Sequence, residues 1–360
     1  MIPYGRQDID DDDIAAVVAV LRGDWLTQGP HVTEFEDALR ALTGARHAIA
    51  LSSGTAALHA AMFAAKVGPG DLVCTSPLSF AASANCARYV GADVAFVDID
   101  PETLNLDPAR QPPGCDALVA VHYAGLPVHL DKLPYRPRVI IEDAAHAIGA
   151  ETPDGPVGSC AASDMCCFSF HPVKTVTTGE GGAVTTNSDE LAERVRRFRH
   201  HGIRPTPDVA PWAYDIPELG YNYRLTDMQA ALGTSQLAKL DRFLDRRTAL
   251  AHAYTAALHD LEGLTLPPVA PAGSRHGYHL FTVRVRERDR VHAQLRERGI
   301  GTQVHYVPTY RLGAYATHVD PADFPETEAA YDELLSLPLF PALTDADQNA
   351  VIDALRELMP

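Results

Sequence analysis

The residues with the clearest chemical potential lie in the segment "SFHPVKTVTTGEGG", which runs from Ser169 to Gly182 and holds a lysine, a histidine and several glycines. Lysine is rare in this sequence of 360 residues, and its four positions are Lys66, Lys132, Lys174 and Lys239. A buried lysine that loses its proton readily is a nucleophile toward carbonyl carbons, including the aldehyde of pyridoxal phosphate. One of these four lysines is therefore a candidate nucleophile.

The position of Lys174 distinguishes it from the other three lysines. It follows the apolar run "MCCFSF" and precedes a glycine cluster, and ligands of parallel α/β sheets bind beyond the carboxyl ends of such strands. Lys66 ends a predicted helix, where a cation suits the helix dipole, while Lys132 lies in a proline-flanked loop and Lys239 in a charged helix. Lys174 is the candidate, with an ordinary loop lysine as the alternative.

A phosphate site is indicated by "SSGTAAL", Ser52 to Leu58, which joins a predicted strand to a predicted helix. The backbone N–H groups of Gly54 and Thr55 would be free at this helix N-terminus, where the dipole favours an anion. An ordinary cap by Ser53 or Thr55 explains the same residues. Because neither a Walker P-loop nor G-x-G-x-x-G is present here, the segment gives no support to ATP or a dinucleotide.

A second polar cluster, in "IIEDAAHAIGA", places Asp143 and His146 directly after a buried strand. An acid at such a strand end can hold a positive charge, for example a protonated pyridine nitrogen, and the ring then withdraws electrons. The alternatives are a helix cap for Asp143 and a core histidine for His146. Farther along, "GYNYRLTDMQAALG" is polar and aromatic before a helix for which Thr226 is the predicted N-cap.

Strands and helices alternate along the first two thirds of the chain, which predicts a mostly parallel sheet covered on both faces. Runs such as "RVII" and "MCCFSF" lack polar alternation, as strands buried on both sides do. A long helical region, "TDMQAALGTSQLAKLDRFLDRRTALAHAYTAAL", then leads to strands near "YHLFTVRV" and "TQVHY" and to two more helices. We expect an α/β fold with a large domain over residues 1–245, including the N-terminal segment, and a small C-terminal α+β domain over residues 246–360.

The composition limits the classes of partner. The formal net charge of −17 argues against nucleic acid and against an anionic membrane surface. The start "MIPYGRQDID" lacks the features of a signal peptide, and the most apolar stretch is broken by polar residues. Six cysteines without a C-x-x-C spacing suggest reduced core thiols in the cytoplasm and no zinc site. We therefore expect a cytoplasmic protein that binds small molecules and no metal.

Taken together, these segments resemble the DegT-type sugar aminotransferases, a branch of the pyridoxal phosphate enzymes. The resemblance runs nearly end to end, in family order and spacing, and is carried by "FEDALRALTGARHAIALSSGTAAL", "FVDIDPETLNLD", "EDAAHAIGAE", "SFHPVKTVTTGEGGAVTTN", "GYNYRLTDMQAALG", "GTQVHYVPTY" and "LSLPLFPALTDADQ". It implies the aspartate aminotransferase fold, which is fold type I of the pyridoxal phosphate-dependent transferases.

The resemblance also implies roles for individual residues. Lys174 would form the Schiff base with the cofactor, Asp143 would pair with its pyridine nitrogen, and His146 would lie near its phenolic oxygen. Some relatives carry histidine at the Schiff-base position and are dehydratases, so the lysine here favours transamination. The amino donor would be L-glutamate, the acceptor a nucleotide keto-sugar, and the kinetics ping-pong.

Further contacts with pyridoxal phosphate follow from the same resemblance. Gly54, Thr55 and Ser169 would hold its phosphate, and Phe80 would stack on its ring. Asn222 matches an asparagine that reaches the phosphate bound in the other subunit, which implies a homodimer with shared active sites.

Within the family, "IPYGRQDIDDDDIAAVVAVLRGDWLTQGP" is similar to the group that acts in pseudaminic acid biosynthesis, which aminates C4 of a UDP-linked 2-acetamido-2,6-dideoxy-4-hexulose. This likeness implies a sugar-nucleotide pocket formed by Tyr4, Trp25, Leu26, Thr27, Gln28, His305, Tyr306 and Tyr310. Packing explains Trp25 and Tyr310 equally well, and His305 could be a strand histidine. Two further hypotheses stay open at this point: amination of another nucleotide keto-sugar at C4 or C3, such as a UDP-4-keto-pentose or a dTDP-linked sugar, and a non-catalytic regulatory relative.

Overall fold

The computed structural model describes residues 1–316 and 319–359. Within these ranges the helices are α1 (Asp11–Arg22), α2 (Pro30–Thr43), α3 (Gly54–Ala64), α4 (Ala82–Tyr89), α5 (Asp189–Arg199), α6 (Asp227–Leu237), α7 (Leu240–Leu258), α8 (Arg288–Glu297), α9 (Pro325–Glu333) and α10 (Asp345–Leu358). The longer strands are β1 (His47–Leu51), β2 (Leu72–Thr75), β3 (Asp93–Phe96), β4 (Ala117–Val121), β5 (Val139–Asp143), β8 (Met165–Ser169), β9 (Gly182–Thr186), β13 (Phe281–Val285) and β14 (Leu334–Leu337). Two-residue strands are β6 (Glu151–Thr152), β7 (Gly155–Pro156), β10 (Arg204–Pro205), β11 (Tyr214–Asp215) and β12 (Leu264–Thr265).

Seven strands form the central sheet in the order β1-β9-β8-β5-β4-β2-β3. Strand β9 runs antiparallel to both of its neighbours, whereas the pairs from β8 through to β3 are parallel. The prediction of a mostly parallel sheet is therefore confirmed. The parallel arrangement brings the carboxyl ends of β4, β5 and β8 to one edge, where we expect the ligand site.

The sheet is buried on both faces because successive strand residues point to opposite sides. Ile49 and Leu51 of β1 pack with helices α3, α4 and α5 on one face, while Ala48 and Ala50 pack with α2, α6 and α7 on the other. Adjacent cysteines of β8 divide in the same way between the two cores. This two-sided burial explains the apolar runs without polar alternation in the sequence.

Side-chain caps fix the helix starts that matter for the site. Ser53 Oγ accepts the N–H of Ala56 at 3.1 Å and caps α3, and Thr226 forms a capping box with Gln229 at α6. The prediction of Thr226 as N-cap is confirmed. The predicted continuous helical region is divided into α6 and α7, because Lys239 leaves helical geometry and directs its amine to acidic residues near α1.

The C-terminal part has its own apolar core, built from the second half of α7 together with β12 to β14, α8 and α10. The predicted boundary between residues 245 and 246 falls inside α7 and stays a prediction. Residues 2–4, which we assigned to the large domain, bond instead to the C-terminal part: Ile2 pairs with Ile300, and the Leu339 N–H donates to the Tyr4 carbonyl. "TQVHY" makes a single bridge, Gln303 to Ser336, rather than the predicted strand.

Three further features concern the cysteines, the apolar character of the helices and the possible metal ligands. All six cysteines are buried and unbridged. Across the described residues, no helix combines the length and apolar character needed to cross a membrane. In the same ranges no group of three or more histidine, cysteine, aspartate or glutamate side chains is arranged to hold a metal ion.

Candidate active site

A cleft of about 570 Å³ lies at the carboxyl ends of β4, β5 and β8. Its floor and walls also include the N-termini of α3 and α4, and the segment around residue 305 closes one side. Ten of the residues that we predicted for the site line this cleft: Tyr4, Gly54, Thr55, Phe80, Asp143, His146, Ser169, Lys174, His305 and Tyr306. We call it the active cleft.

Lys174 is placed in the active cleft by a short turn that follows β8. The Lys174 N–H donates to the His171 carbonyl at 2.9 Å. The buried Phe170 fixes both ends of the loop, because its N–H donates to the Gly181 carbonyl at 2.8 Å and its carbonyl accepts the Thr178 N–H at 2.9 Å. Burial lowers the pKa of the Lys174 amine to about 8, although the charge of Asp143 acts in the opposite direction. About a tenth of this amine is therefore uncharged at pH 7, and about half at pH 8.

Asp143 is held by a hydrogen bond to each oxygen of its carboxylate. Ser83 Oγ donates to Oδ2 at 2.7 Å, and the Ala145 N–H donates to Oδ1 at 3.1 Å. Both Asp143 and Ser83 are buried. These two hydrogen bonds hold the carboxylate in one orientation at the end of β5. Ser83 is a residue that sequence reasoning missed.

Three neutral imidazoles form the wall beside Lys174. The rings of His146 and His279 lie 4.4 Å apart, and His146 Nε2 is 3.0 Å from the Tyr306 hydroxyl oxygen. Burial lowers the pKa of His146 and His279 well below the usual value, and lowers that of His305 to about 4. These three uncharged rings therefore place no positive charge beside the Lys174 amine.

The N-terminus of α3 forms a narrow cradle on the opposite side. A side chain at Gly54 would place its Cβ 2.7 Å from Ser169 Cβ, and one at Gly182 would lie 2.2 Å from the Ser53 carbonyl oxygen. The close approach of these backbones therefore requires glycine. Because the first N–H groups of a helix have no intrahelical partner, those of Gly54 and Thr55 are available to an anion beside the Ser169 hydroxyl.

Six of the residues that we predicted for the site lie outside the active cleft: Trp25, Leu26, Thr27, Gln28, Asn222 and Tyr310. Asn222 is exposed and pairs with His200, Thr27 pairs with Thr226, and Trp25 and Leu26 are exposed. Gln28 lines a different cleft. In one chain the structure does not bring these five residues to the active cleft.

Tyr310 requires a correction. Its side chain is only 1% exposed, its ring stacks on Phe324 with centroids 4.7 Å apart, and its hydroxyl donates to Glu328 at 2.7 Å. It is a packing residue beside α9, outside the sugar-nucleotide pocket that the sequence predicted. Phe80, by contrast, is 63% exposed and lines the active cleft, as expected of a ring that a ligand covers.

The residues that the sequence did not reveal are Ser83, His279 and Glu180. Ser83 lies three positions after Phe80, and His279 occurs in the predicted strand "YHLFTVRV". Neither has a local pattern that separates it from an ordinary helix or strand residue. Glu180 belongs to the glycine-rich segment after Lys174, which was the one available signal.

A sheet of this order with a lysine in a loop beyond β8 and a fixed acid at the end of β5 defines a fold type I transferase dependent on pyridoxal phosphate. The sequence pattern of the DegT/DnrJ/EryC1/StrS aminotransferase family matches residues 7–356. The chain belongs to this family, and it is an aminotransferase that uses pyridoxal phosphate. The hypothesis of a non-catalytic relative is therefore wrong.

Individual relatives cover nearly the whole chain. The spore coat polysaccharide biosynthesis protein SpsC of Bacillus subtilis (strain 168) is 37% identical over 380 aligned positions, which cover 99% of this chain and 97% of that protein. Spr1654 of Streptococcus pneumoniae in its PMP-form superposes with a TM-score of 0.93 at 28% identity, covering 100% and 99% of the two chains. Helicobacter pylori PseC, an aminotransferase involved in pseudaminic acid biosynthesis, superposes with a TM-score of 0.92 at 29% identity, covering 99% of each chain.

The active cleft fits pyridoxal phosphate on observations that do not depend on those relatives. The Nδ1 atom of His146 is buried and has no hydrogen-bond partner in the described residues. The glycines at the N-terminus of α3 leave its first N–H groups facing the active cleft, and the exposed ring of Phe80 forms one wall. Lys174, whose amine is partly uncharged, is thus surrounded by the unpartnered Nδ1 of His146, the N-terminus of α3 and the carboxylate of Asp143.

Proposed function

We propose that the protein transfers an amino group from L-glutamate to C4 of UDP-2-acetamido-2,6-dideoxy-β-L-arabino-hex-4-ulose. The product would be UDP-4-amino-4,6-dideoxy-N-acetyl-β-L-altrosamine, and the pathway pseudaminic acid biosynthesis. The likeness to PseC over 99% of both chains carries this proposal, together with the similarity of the N-terminal sequence to that group. The chemistry of amino transfer rests on Lys174 and Asp143 in the active cleft.

The proposed roles follow from the state of each side chain. The cofactor, when bound, supplies an aldehyde for the amino group and a ring that withdraws electrons from the reacting carbon. Lys174, whose lowered pKa leaves part of its amine uncharged, would take the proton from the donor carbon that bears the amino group and pass it to the cofactor. In the sugar half-reaction it would move a proton the opposite way, onto the carbon that receives the amino group. Asp143 would hold a proton on the ring nitrogen, since Ser83 and Ala145 fix the position of its carboxylate. The unpartnered Nδ1 of His146 would hydrogen-bond to the phenolic oxygen.

The remaining site residues are assigned in the same proposal. Gly54, Thr55 and Ser169 would bind the phosphate at the N-terminus of α3. The mouth of the active cleft, formed by Tyr4, His305 and Tyr306, would receive the sugar. Tyr4 and His305 lie with their ring centroids 5.3 Å apart, and Tyr306 contacts His146, so a sugar here would lie directly beside the proposed proton-transfer site.

The exposed positions support a homodimer. Asn222 and the run from Trp25 to Gln28 carry polar and aromatic side chains into solvent, away from the active cleft of their own chain. Trp212 and Leu219 in the neighbouring segment are 82% and 85% exposed. A second copy covering this surface would bury these apolar groups and bring Asn222 to the partner's active cleft. We place the protein in the cytoplasm, which its six unbridged buried cysteines support.

A second candidate is amination of a different nucleotide keto-sugar, either a UDP-4-keto-pentose or a dTDP-linked sugar, at C4 or C3. The 37% identity to SpsC, which is named for spore coat polysaccharide biosynthesis, supports this alternative. It retains every role assigned to the cofactor residues and changes only the contacts of the sugar and the base.

A substrate panel distinguishes the two. The protein is incubated with L-glutamate and each of several UDP- and dTDP-linked keto-sugars, and 2-oxoglutarate and the amino-sugar are quantified by mass spectrometry. The proposal expects the UDP-linked 2-acetamido-2,6-dideoxy-4-hexulose to have the highest kcat/KM. A higher value for a pentose or a dTDP-linked sugar would establish the alternative, and no product with any of them would contradict both.

A further inference from the structure

Three polar side chains that the mechanism leaves unused lie behind Asp143. Glu142 precedes Asp143 on β5, and because successive strand residues point to opposite faces of a sheet, its side chain lies on the face away from the active cleft. His122, directly after β4, has its Nε2 2.7 Å from Glu142 Oε2, and the Ser163 hydroxyl, before β8, donates to Glu142 Oε1. Glu142, His122 and Ser163 are all buried. We call these three residues the rear cluster.

A backbone hydrogen bond determines which nitrogen of His122 carries a proton. The Val128 N–H donates to His122 Nδ1 at 3.1 Å, so Nδ1 is an acceptor and has no proton of its own. The single ring proton is therefore on Nε2, which donates it to Glu142. A second proton on the imidazole would break the bond to Val128 and leave that buried N–H without a partner, which is costly. His122 is thus a neutral donor.

Glu142 is ionised between these two donors. Burial would raise the pKa of Glu142, but its contacts with His122 and Ser163 together lower that pKa below the usual value. Across residues 1–316 and 319–359, no lysine or arginine forms an ion pair with this carboxylate. Because a neutral imidazole and a hydroxyl bond to its two oxygens, the rear cluster carries one buried negative charge.

The charge of Glu142 acts on the active cleft through β8. Cys167 lines the active cleft, and burial raises the pKa of its thiol well above the usual value. The charge of Asp143 adds to this shift, and so does the charge of Glu142 on the opposite face of the sheet. The buried sheet between the two faces screens charges less than water does. A cation held beside Asp143 would therefore be attracted by Glu142 as well.

The neutrality of His122 is the feature that gives the rear cluster this effect. A lysine or arginine at position 122 would also ionise Glu142, but its own charge would cancel that of Glu142 at the active cleft. A neutral histidine ionises the carboxylate and leaves the charge in place. An ionised carboxylate without a cation is costly to bury, and a cation bound beside Asp143 offsets that cost.

We propose that Glu142 is a second anion, behind Asp143, that favours the protonated ring nitrogen of bound pyridoxal phosphate, and that His122 and Ser163 keep it ionised without cancelling its charge. This inference rests on the proposed role of Asp143 as the partner of that nitrogen. It is independent of the sugar that the enzyme accepts. Glu142 acts through space, because it lies on the far face of the sheet from the cofactor.

The test compares the binding of pyridoxal phosphate with that of its deaza analogue, which has carbon in place of the ring nitrogen and cannot be protonated there. The Kd of each is measured by absorbance titration of the apoprotein, for wild type and Glu142→Gln. The glutamine can retain both contacts, because its amide oxygen can accept from His122 and its amide nitrogen can donate to Ser163. We expect the preference for pyridoxal phosphate over the analogue to fall about tenfold, with the Kd of the analogue unchanged. An unchanged preference, or equal weakening of both ligands, would overturn the inference.

Two further variants separate charge from position and the inference from the role of Asp143. Ser163→Ala removes a hydrogen bond and leaves the Glu142 carboxylate with its His122 donor, so it should keep the wild-type preference. A loss as large as that of Glu142→Gln would show that hydrogen bonding matters rather than charge, against the inference. Asp143→Asn should lose the preference as well. If it does not, the role of Asp143 fails. If it does while Glu142→Gln keeps the preference, only the inference fails.

A measurement on the wild-type protein tests the charge of the rear cluster without any variant. In protein labelled with ¹⁵N, the coupling across the hydrogen bond from the Val128 nitrogen to His122 Nδ1 assigns the imidazole signals. We expect Nδ1 to be unprotonated and Nε2 to carry the single ring proton at neutral pH. A doubly protonated His122 would cancel the charge of Glu142 and overturn the inference, even if Glu142→Gln failed to fold.

Discussion

Two lysines of this chain are shielded from solvent and differ in almost everything else. Lys239, between α6 and α7, lies close to Asp10 and 2.9 Å from Asp13 Oδ1, and these acids raise its pKa. Lys174, in the active cleft, has no ion-pair partner in the described residues, and burial lowers its pKa to about 8. The same side chain is thus a permanent cation in one place and a titratable amine in the other.

The difference shows that burial and the distance to an acid together determine what a lysine can do. Asp13 has a fully buried side chain and accepts hydrogen bonds from Ser235 and Gln236 as well, so its carboxylate is held in place beside Lys239. Asp143 acts on Lys174 from farther away, and its two oxygens are already bonded to Ser83 and Ala145. Burial is then the largest influence on the pKa of Lys174. A lysine that stabilises the fold needs a carboxylate in contact with its amine. A lysine that transfers protons needs its carboxylate farther away.

The largest effect is expected from exchanging each lysine for arginine. Lys174→Arg keeps the positive charge but cannot lose its proton, so amino transfer should fall by about 1,000-fold or more. Lys239→Arg should keep nearly all activity, because its site requires only a cation. The measurement is single-turnover amino transfer at matched cofactor loading. More than a tenth of wild-type activity in Lys174→Arg would contradict the assignment.

The next effect concerns stability rather than chemistry. Lys239→Met leaves the buried Asp13 carboxylate without its cation, and we expect the free energy of unfolding in urea to fall by about 2 kcal/mol. Lys66→Met is the matched control, because Lys66 pairs with Glu190 on the surface and such pairs contribute little. The double variant Asp13→Asn with Lys239→Met should recover part of the loss. Equal urea midpoints for Lys239→Met and Lys66→Met would show that the pair does not stabilise the junction.

Ser83 is expected to act on the chemistry through Asp143. Ser83→Ala removes the donor to Oδ2, which should lower kcat about tenfold and shift the pH titration of the cofactor's visible band. Ser83→Thr keeps a hydroxyl and should restore both. A purely structural role would lower the thermal midpoint and leave the band titration unchanged, so an unshifted titration in Ser83→Ala would refute a positioning role.

Much of the active cleft could be predicted because its residues occupy strand ends. Asp143 ends β5, and Lys174 follows β8 by five positions, so the order of elements alone brings them to one edge of the sheet. The glycine at the start of α3 gave a further local signal. The resemblance to one family then supplied roles that spacing could not.

The remaining residues could not be predicted because tertiary packing decides them. Ser83 becomes important only when α4 meets β5, 60 positions away. Tyr310 has the composition of a binding residue, yet Phe324 and Glu328 bury it. The cleft that Gln28 lines is formed by α2 and α5, and the pair of Glu36 and Arg199 across it joins residues 163 positions apart. Such pairing has no periodicity in a sequence.

The smallest effect, and the most direct test of the comparison, is the pH dependence of the two amines. The apoprotein is treated with pyridoxal phosphate and borohydride, and each lysine is quantified by peptide mass spectrometry. With a pKa of about 8, the uncharged fraction of Lys174 rises about fivefold between pH 7 and pH 8 and then levels off. Lys239 should stay unlabelled throughout this range, because its pKa is raised.

Asp143→Asn sharpens this measurement and fixes its sign. The Asp143 charge favours the protonated amine, so removing it should move the labelling midpoint of Lys174 to lower pH. Lys66, which is exposed, serves as the internal reference for an ordinary lysine in the same digest. A common midpoint for Lys174 and Lys66 would mean that the active cleft does not desolvate its amine, and a shift to higher pH in Asp143→Asn would mean that the carboxylate acts on Lys174 with the opposite sign. Because the readout is labelling of the apoprotein, neither result depends on which sugar the enzyme accepts.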